Sequence, residues 1–229
     1  MKPTLLLLHG ALGSPATLEP LAALLASEFE VKSFAFAGHG GRAVNPDTFT
    51  LTHFGVEVLD FLQDEREPVH VFGYSMGGYA ALLAASQEPG RFASITTLGT
   101  KLDWSLEAAA AETRLLDPEK MREKVPAFAE QLRQRHAPAD WAAVVRATAA
   151  LMRAAGARPP LTAQRLATVR VPVQVLVGDA DHTARTDADR AQAALLPQGQ
   201  YEVLLNTPHP LERVNLAGLA ARIRQFAAR

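Results

Sequence analysis

The stretch VHVFGYSMGGYA, residues 69–80, changes character at its central serine. An apolar, strand-forming run ends at Gly73, and an alanine-rich segment follows Ser75. Gly73, Ser75 and Gly77 fit the pattern G-x-S-x-G, in which a sharp strand-to-helix turn lifts a serine hydroxyl above a sheet. The turn brings two backbone segments very close, so its flanking positions must be small. The stretch therefore predicts a nucleophilic serine, and a serine that merely caps a helix is the alternative.

Short apolar runs alternate with helical patterns along most of the chain. Strands are predicted over 4–10, 30–36, 69–74, 93–99, 171–178 and 201–205, and helices over 15–28, 51–66, 76–88, about 185–196 and about 211–228. Ser14 is the expected N-cap of the first helix, with Pro15 at its first position. Such alternation is typical of βαβ units and a parallel sheet. The almost continuous apolar strands indicate a sheet that is covered on both faces.

Residues 103–168 break this alternation, because they contain helical patterns and no convincing strand. Helices are predicted to start after Asp117 and after Asp140, with a division at Pro126. The segment leaves the carboxyl end of a predicted strand, where open α/β sheets bind ligands. We therefore expect a core of residues 1–102 and 169–229 and a helical cap insertion over 103–168. Extra helices that only pack on the sheet are the alternative.

A nucleophilic serine needs a base, and the base needs an acid that orients it. Three histidines follow the serine: His136 in the helical segment, His182 after the fifth strand, and His209 in the stretch NTPHPLE. The loop around His209 follows the sixth predicted strand, so it belongs on the same edge of the sheet as Ser75. His209 is therefore the predicted base.

The acid is expected after the fifth predicted strand, where Asp179 and Asp181 lie. Asp181 is preferred because it lies farther from the strand end and can reach a neighbouring loop. Together with His182, these two aspartates could also form a metal loop. A calcium loop would need a glycine at its sixth position and an acidic twelfth ligand, and both are missing. A zinc site lacks a matching cluster elsewhere, so we expect no metal.

The stretch LLLLHGALGS, residues 5–14, follows the pattern of a strand and a glycine-containing loop. Acyl transfer passes through an oxyanion that backbone N–H groups can stabilise. The amides of Ala11, in this loop, and of Met76, directly after the serine, are the predicted donors. His9 is expected to brace the loop.

Five stretches occur in the order HGALGS, AGHG, GYSMGG, GDADH and TPHPLE. In this order they resemble the α/β-hydrolase superfamily. The resemblance implies the α/β-hydrolase fold, with a catalytic triad of Ser75, Asp181 and His209, an oxyanion hole and a helical cap insertion. It also implies that two early strands of the family are missing, so a six-stranded, mostly parallel sheet flanked by helices is expected. The family often has an aspartate and a proline before its Gly-His-Gly turn, whereas this chain has FAFAGHG. This difference does not involve the residues of the implied triad.

The substrate pocket is expected to be mostly apolar, with Leu12, Tyr74, Leu102, Trp104 and Trp141 as its predicted lining. Lys101, which is also close to the fourth strand, is interpreted as a solvated loop lysine.

The predicted reaction is hydrolysis of a carboxylic ester with a small or medium acyl group, and no cofactor is expected. A lyase of the menaquinone-pathway type is one alternative. It would need cationic side chains in the pocket, for which Arg114, Arg122 and Arg153 are candidates. A non-catalytic binding protein on the same fold is the other alternative.

The expected partner is a small-molecule, ester-like substrate, and composition argues against other classes of partner. The net charge is −1 and no basic stripe is present, which argues against a nucleic-acid partner. There are no cysteines, so disulfides and thiolate metal sites are excluded. No apolar run approaches the roughly 20 residues of a membrane span. The first apolar run is also too short for a secretory signal, so a cytoplasmic protein without a membrane partner is expected.

Overall fold

The computed structural model describes residues 2–184 and 187–229. One sheet contains six strands: β1 (Thr4–Leu8), β2 (Glu30–Ser33), β3 (Val69–Tyr74), β4 (Phe92–Leu98), β5 (Val173–Ala180) and β6 (Gly199–Pro208). Their order is β2-β1-β3-β4-β5-β6, and every neighbouring pair is parallel. The predicted six-stranded sheet is confirmed. Since all strands point the same way, the loops after β1, β3, β4, β5 and β6 leave from one edge.

Ten α-helices lie within the described residues: α1 (Glu19–Leu25), α2 (Leu51–Leu62), α3 (Met76–Gln87), α4 (Leu106–Thr113), α5 (Pro118–Lys124), α6 (Pro126–His136), α7 (Trp141–Ala157), α8 (Ala163–Thr168), α9 (Asp187–Ala193) and α10 (Leu216–Ala227). Short 3-10 helices cover Pro15–Leu18, Pro89–Arg91 and Leu211–Arg213. Within the described ranges, no helix has both the length and the apolar character that crossing a bilayer requires.

Several helix limits differ from the predictions. The pattern over 15–28 is split into a 3-10 helix and α1, since Pro20 has no N–H to continue the first hydrogen-bonded run. Ser14 is the N-cap residue and Pro15 the first helical residue, as predicted, although the side chain of Ser14 makes no capping hydrogen bond. Helix α2 ends at Leu62 rather than near residue 66. The first two residues of the helix predicted over 185–196 lie outside the described residues.

The run of leucines in β1 is explained by a core on each face of the sheet. Leu6 and Leu8 pack into the larger core with α2 and α3, whereas Leu5 and Leu7 pack into the smaller core with α1 and α10. All four side chains are fully buried. Burial of each leucine contributes about 1.5–3 kcal/mol, so β1 anchors the sheet from both sides.

Helix α3 is buried on all sides over its first ten residues, 76–85. A helix without a polar face belongs inside a protein rather than on its surface. It packs against β3, α2 and α8. The residue that precedes it, Ser75, is therefore fixed at the point where the central strand meets the most buried helix.

Residues 103–168 contain the five helices α4 to α8 and no strand. Asp117 and Asp140 cap α5 and α7 by accepting hydrogen bonds from the first backbone N–H groups of these helices. Helices α5 and α6 meet at Pro126. The predicted helix starts and the predicted division are therefore confirmed.

Candidate active site

Ser75 lies in a strained turn between β3 and α3. Its φ of 51° and ψ of −114° are unusual for a residue with a side chain. The Ser75 N–H donates to the Leu98 carbonyl at 2.8 Å, and the Thr100 hydroxyl donates to the Ser75 carbonyl at 2.9 Å. The Ser75 side chain makes no capping hydrogen bond to α3, which removes the support for a purely capping serine.

Two glycines allow this turn because other backbone lies against them. A Cβ atom on Gly73 would lie 2.4 Å from the Cα of Gly78, and one on Gly77 would lie 2.4 Å from the carbonyl oxygen of Leu8. A side chain on Gly73 would therefore push α3 away from β3, and one on Gly77 would push α3 away from the end of β1. The small flanking residues of the motif are required by this close approach.

Asp181 and His209 meet at the carboxyl edge of the sheet. Nδ1 of His209 lies 2.8 Å from Oδ2 of Asp181. The other carboxylate oxygen accepts from the amides of Thr183 at 2.8 Å and Ala184 at 3.1 Å. Burial by itself raises the pKa of Asp181. The hydrogen bond and charge interaction with His209, together with the two amide hydrogen bonds, lower it by more, so the pKa of Asp181 lies below its ordinary value. The carboxylate stays ionised, and it holds the proton of the imidazole on Nδ1.

Asp179, the other acid considered, has a different contact. Its Oδ1 accepts from the backbone N–H of Thr207 at 3.1 Å and so joins β5 to β6. The loop that carries His209 is also held from β3, because the Tyr74 hydroxyl donates to the His209 carbonyl at 2.9 Å. Burial raises the pKa of Tyr74, so its hydroxyl keeps its proton.

Ser75 and His209 line one cavity of about 220 Å³. Within the described residues, no hydrogen bond joins the serine hydroxyl to the imidazole. Catalytic hydrogen bonds are often long before a substrate closes them. Since Asp181 occupies Nδ1, the free ring nitrogen of His209 is Nε2, which is the atom a serine base needs.

The predicted oxyanion donors also line this cavity. Met76 is the first residue of α3, where the N–H group has no partner within the helix. The Gly10 carbonyl accepts from Gly13 N–H at 3.0 Å and from Nδ1 of His9 at 2.8 Å. Because a trans peptide places C=O and N–H on opposite sides, these bonds fix the direction of the Ala11 N–H.

His9 braces the loop after β1, as its position suggests. Its Nε2 accepts from the backbone N–H of Phe36 at 3.2 Å, which leaves Nδ1 to donate to the Gly10 carbonyl. The ring is fully buried. Burial is the main reason that the pKa of His9 is lowered to about 4, so the ring is neutral at pH 7.

Three of the five predicted pocket residues, Leu12, Tyr74 and Trp104, line the cavity. Leu102 and Trp141 are instead buried in the larger core and are not part of the lining. The remaining lining was not predicted and comes mostly from α2, α3, α4 and α7: Leu51, Tyr79, Lys101, Glu112, Leu116, Thr148, Leu151, Met152 and Thr183. No local sequence signal distinguishes these residues from others on the same helices.

Lys101 is not the solvated loop lysine that was expected. Its side chain is only 9% exposed, and its Nζ donates to the Thr183 carbonyl at 2.9 Å and lies 4.0 Å from Oδ2 of Asp189. The three arginines considered as cationic pocket residues, Arg114, Arg122 and Arg153, are exposed and do not line the cavity. Across residues 2–184 and 187–229, no cluster of three or more His, Cys, Asp and Glu side chains has the arrangement of a metal site.

Comparison with known proteins finds one matching family and many solved structures of similar fold. A family model described as "Alpha/beta hydrolase family" matches residues 5–222. A thermophilic esterase from Thermogutta terrifontis is 22% identical, with a TM-score of 0.76 over 100% of this chain and 90% of that one. A hydrolase from Pseudomonas aeruginosa PA01 is 20% identical, with a TM-score of 0.76 over 100% and 91%. MenH from S. aureus is 23% identical, with a TM-score of 0.75 over 99% and 93%. A search of curated proteins gave no match.

Proposed function

Since the chain belongs to the alpha/beta hydrolase family, we propose that it is a serine hydrolase that cleaves carboxylic esters with small or medium acyl groups. Ser75 is the nucleophile, His209 the base and Asp181 the acid that orients the base. The observation that carries this proposal is the contact of 2.8 Å between Asp181 and His209 beside the cavity that Ser75 lines.

In the first step, Oγ of Ser75 attacks the ester carbonyl while Nε2 of His209 takes the hydroxyl proton. Asp181 keeps the other imidazole proton on Nδ1 and stabilises the charged ring. The carbonyl oxygen becomes an oxyanion, and the N–H groups of Ala11 and Met76 donate to it. The tetrahedral intermediate then collapses as His209 gives its proton to the leaving alcohol.

The second step repeats this chemistry with water. Nε2 of His209 takes a proton from a water molecule, and the resulting hydroxide attacks the acyl group on Ser75. The same N–H groups receive the second oxyanion. Collapse returns the proton to Oγ of Ser75 and releases the carboxylic acid.

The size of the cavity supports the choice of a small or medium acyl group. Its volume of about 220 Å³ lies below the roughly 300–1,000 Å³ that is typical of drug-sized ligand pockets. The proposed cap, residues 103–168, supplies Trp104, Glu112, Leu116, Thr148, Leu151 and Met152 to the lining, and the proposed core, residues 1–102 and 169–229, supplies the reacting groups. An insertion that closes the pocket in this way limits the length of the substrate.

The charges around the cavity favour ester hydrolysis over the lyase alternative. A carboxylate-rich lyase substrate would need several cationic partners. Among the described residues that line the cavity, Lys101 is the only lysine or arginine, and its Nζ already donates to a backbone carbonyl.

The test uses nitrophenyl acetate, butyrate and octanoate with the purified protein. We expect kcat/KM to be higher for the two short esters than for octanoate. Ser75→Ala should lower kcat by about three orders of magnitude or more. Asp181→Asn should lower kcat by about 10³-fold to 10⁴-fold, and Asp179→Asn, two residues earlier near the end of β5, is the matched control with a much smaller loss. Undiminished turnover by Ser75→Ala would contradict the proposal, and a fluorophosphonate that fails to label Ser75 would favour a non-catalytic binding protein.

A further inference from the structure

Two side chains at the end of α6 reach across to the loop after β1. Nη1 of Arg135 donates to the Leu12 carbonyl at 2.9 Å, and Nε2 of His136 lies 3.2 Å from the same oxygen. These residues are more than 120 positions apart in the chain. The helical segment between β4 and β5 is therefore attached to the loop that carries the proposed oxyanion donor Ala11.

The neighbours of His136 fix its tautomer. The backbone N–H of Gly40 donates to Nδ1 of His136 at 3.2 Å, so Nδ1 carries no proton. The ring is fully buried, and its single proton is on Nε2, where it is donated to the Leu12 carbonyl. His136 thus joins three segments: α6, the loop after β1 and the loop after β2.

Leu12 is held in a conformation that leucine rarely adopts. Its φ is 58°, in the left-handed region. The hydrogen bond from Gly13 N–H to the Gly10 carbonyl closes a turn in which Ala11 and Leu12 are the central residues, and a positive φ at the second of these is the requirement of a type II turn. The Leu12 geometry and the Gly10–Ala11 peptide orientation are therefore parts of one turn.

Arg135 also lies close to the loop that carries the base. Its Nη2 is 3.8 Å from Oε1 of Glu212, which lies in the 3-10 helix just after His209. Only 17% of the arginine side chain is exposed. One side chain of α6 therefore faces both the oxyanion loop and the histidine loop.

We propose that Arg135 and His136 are positioning residues for the oxyanion site: they hold the Leu12 carbonyl, and through this turn they aim the Ala11 N–H at the reacting carbonyl. The inference rests on the proposed serine-hydrolase function. It gives the helical segment a role in stabilising the transition state in addition to shaping the pocket. A hydrogen bond that strengthens only as the oxyanion forms changes kcat rather than KM.

The test compares kcat and KM for nitrophenyl butyrate in variants of α6. Arg135→Met keeps the aliphatic packing but removes the guanidinium N–H groups that face Leu12 and Glu212. We expect kcat to fall about 10-fold to 100-fold with KM changed less than about two-fold. Arg135→Lys keeps one donor and should recover a large part of the loss. Arg133→Met is the matched control, since Arg133 lies on the same helix and pairs only with Glu130 on α6 among the contacts described, and it should match the parent protein.

His136 provides the second pair of variants. His136→Phe removes the donor and should lower kcat. His136→Gln can place a donor near the position of Nε2, so its kcat should be higher than that of His136→Phe. Circular dichroism and thermal unfolding establish that each variant is folded. If Arg135→Met does not fold, Arg135→Leu, which also lacks a donor, is measured in the same way, with the same expected fall in kcat.

The result separates this inference from the proposed function. An unchanged kcat in folded Arg135→Met and His136→Phe, or a rise in KM at unchanged kcat, would overturn the positioning role. In that case Ser75 of the parent protein would still react with a fluorophosphonate and turn over the ester. A parent protein that neither reacts nor turns over the ester would instead overturn the hydrolase proposal and this inference with it.

Discussion

Acid is expected to destabilise the protein through His9. The lowered pKa of about 4, against 6.5 in an unfolded chain, means that the folded state favours the neutral ring. The stability that this group contributes is therefore present above pH 6.5 and is lost as the pH falls from 6.5 towards 4. At pH 5 the loss amounts to about 2 kcal/mol for this one histidine. The structural reason is that Nε2 accepts from the Phe36 N–H in a fully buried site, where a second ring proton has no partner.

The measurement is the free energy of unfolding in urea at pH 7 and pH 5. The parent protein should lose about 2 kcal/mol more than His9→Gln over this interval, because the variant has no group to titrate there. His182→Gln, which removes an exposed histidine, is the control and should lose as much as the parent. Equal losses in the parent and His9→Gln would refute the reasoning. Burial also lowers the pKa of His136 to about 4, so His136→Gln should reduce the acid sensitivity in the same direction.

Two further substitutions test contacts around the site. Gly77→Ala should destabilise the fold by about 1–3 kcal/mol in urea unfolding, since its Cβ would lie 2.4 Å from the Leu8 carbonyl oxygen, whereas Gly90→Ala, with nothing within 4 Å of the new atom, should not. Equal effects of the two changes would contradict this account of the turn. Tyr74→Phe removes the hydrogen bond to the His209 carbonyl and should lower kcat for a short ester severalfold, with a loss of about 1 kcal/mol in stability. Unchanged kcat would mean that this bond does not position the base.

The centre of the sheet was predictable because β1, β3, β4 and β5 are largely buried on both faces. A run such as the four leucines of β1 is apolar at every position, and only a sheet with a core on each side buries all of them. Helix limits were less predictable, since they depend on single hydrogen bonds. Pro20 divides the first predicted helix, although the apolar pattern continues through it.

The predicted reacting groups come together because each directly follows a strand. Asp181 directly follows the last residue of β5, Ala180, and His209 directly follows the last residue of β6, Pro208. The register pairs Ala180 with Pro208, which brings the two following loops side by side. In a parallel sheet, residues that directly follow strands lie at the same edge, so chain position alone limits where their side chains can be.

The surroundings of the reacting groups could not be predicted in this way. Leu102 and Trp104 are two residues apart after β4, yet Leu102 is in the core and Trp104 lines the cavity. Lys101 is buried because Thr183, in the loop after β5, and Asp189, in α9, meet it from another part of the chain. Such contacts depend on how α4, α7 and the loop after β5 pack together, which no local pattern encodes.

Backbone strain is concentrated at the proposed site. Within the described residues, the non-glycine residues with positive φ are Leu12, Ser75 and Asn206, and each lies in or near the end of a strand that leads to the site. Each conformation costs on the order of 1–3 kcal/mol and persists only when neighbours hold it. Hydrogen bonds with a β4 carbonyl and with the Thr100 hydroxyl hold the conformation of Ser75. Hydrogen bonds from two side chains of α6 hold that of Leu12. The cores on the two faces of the sheet stabilise β1 and β3 against this strain. Substitutions that remove the hydrogen bonds to Ser75 or Leu12 should therefore reduce activity before they unfold the protein.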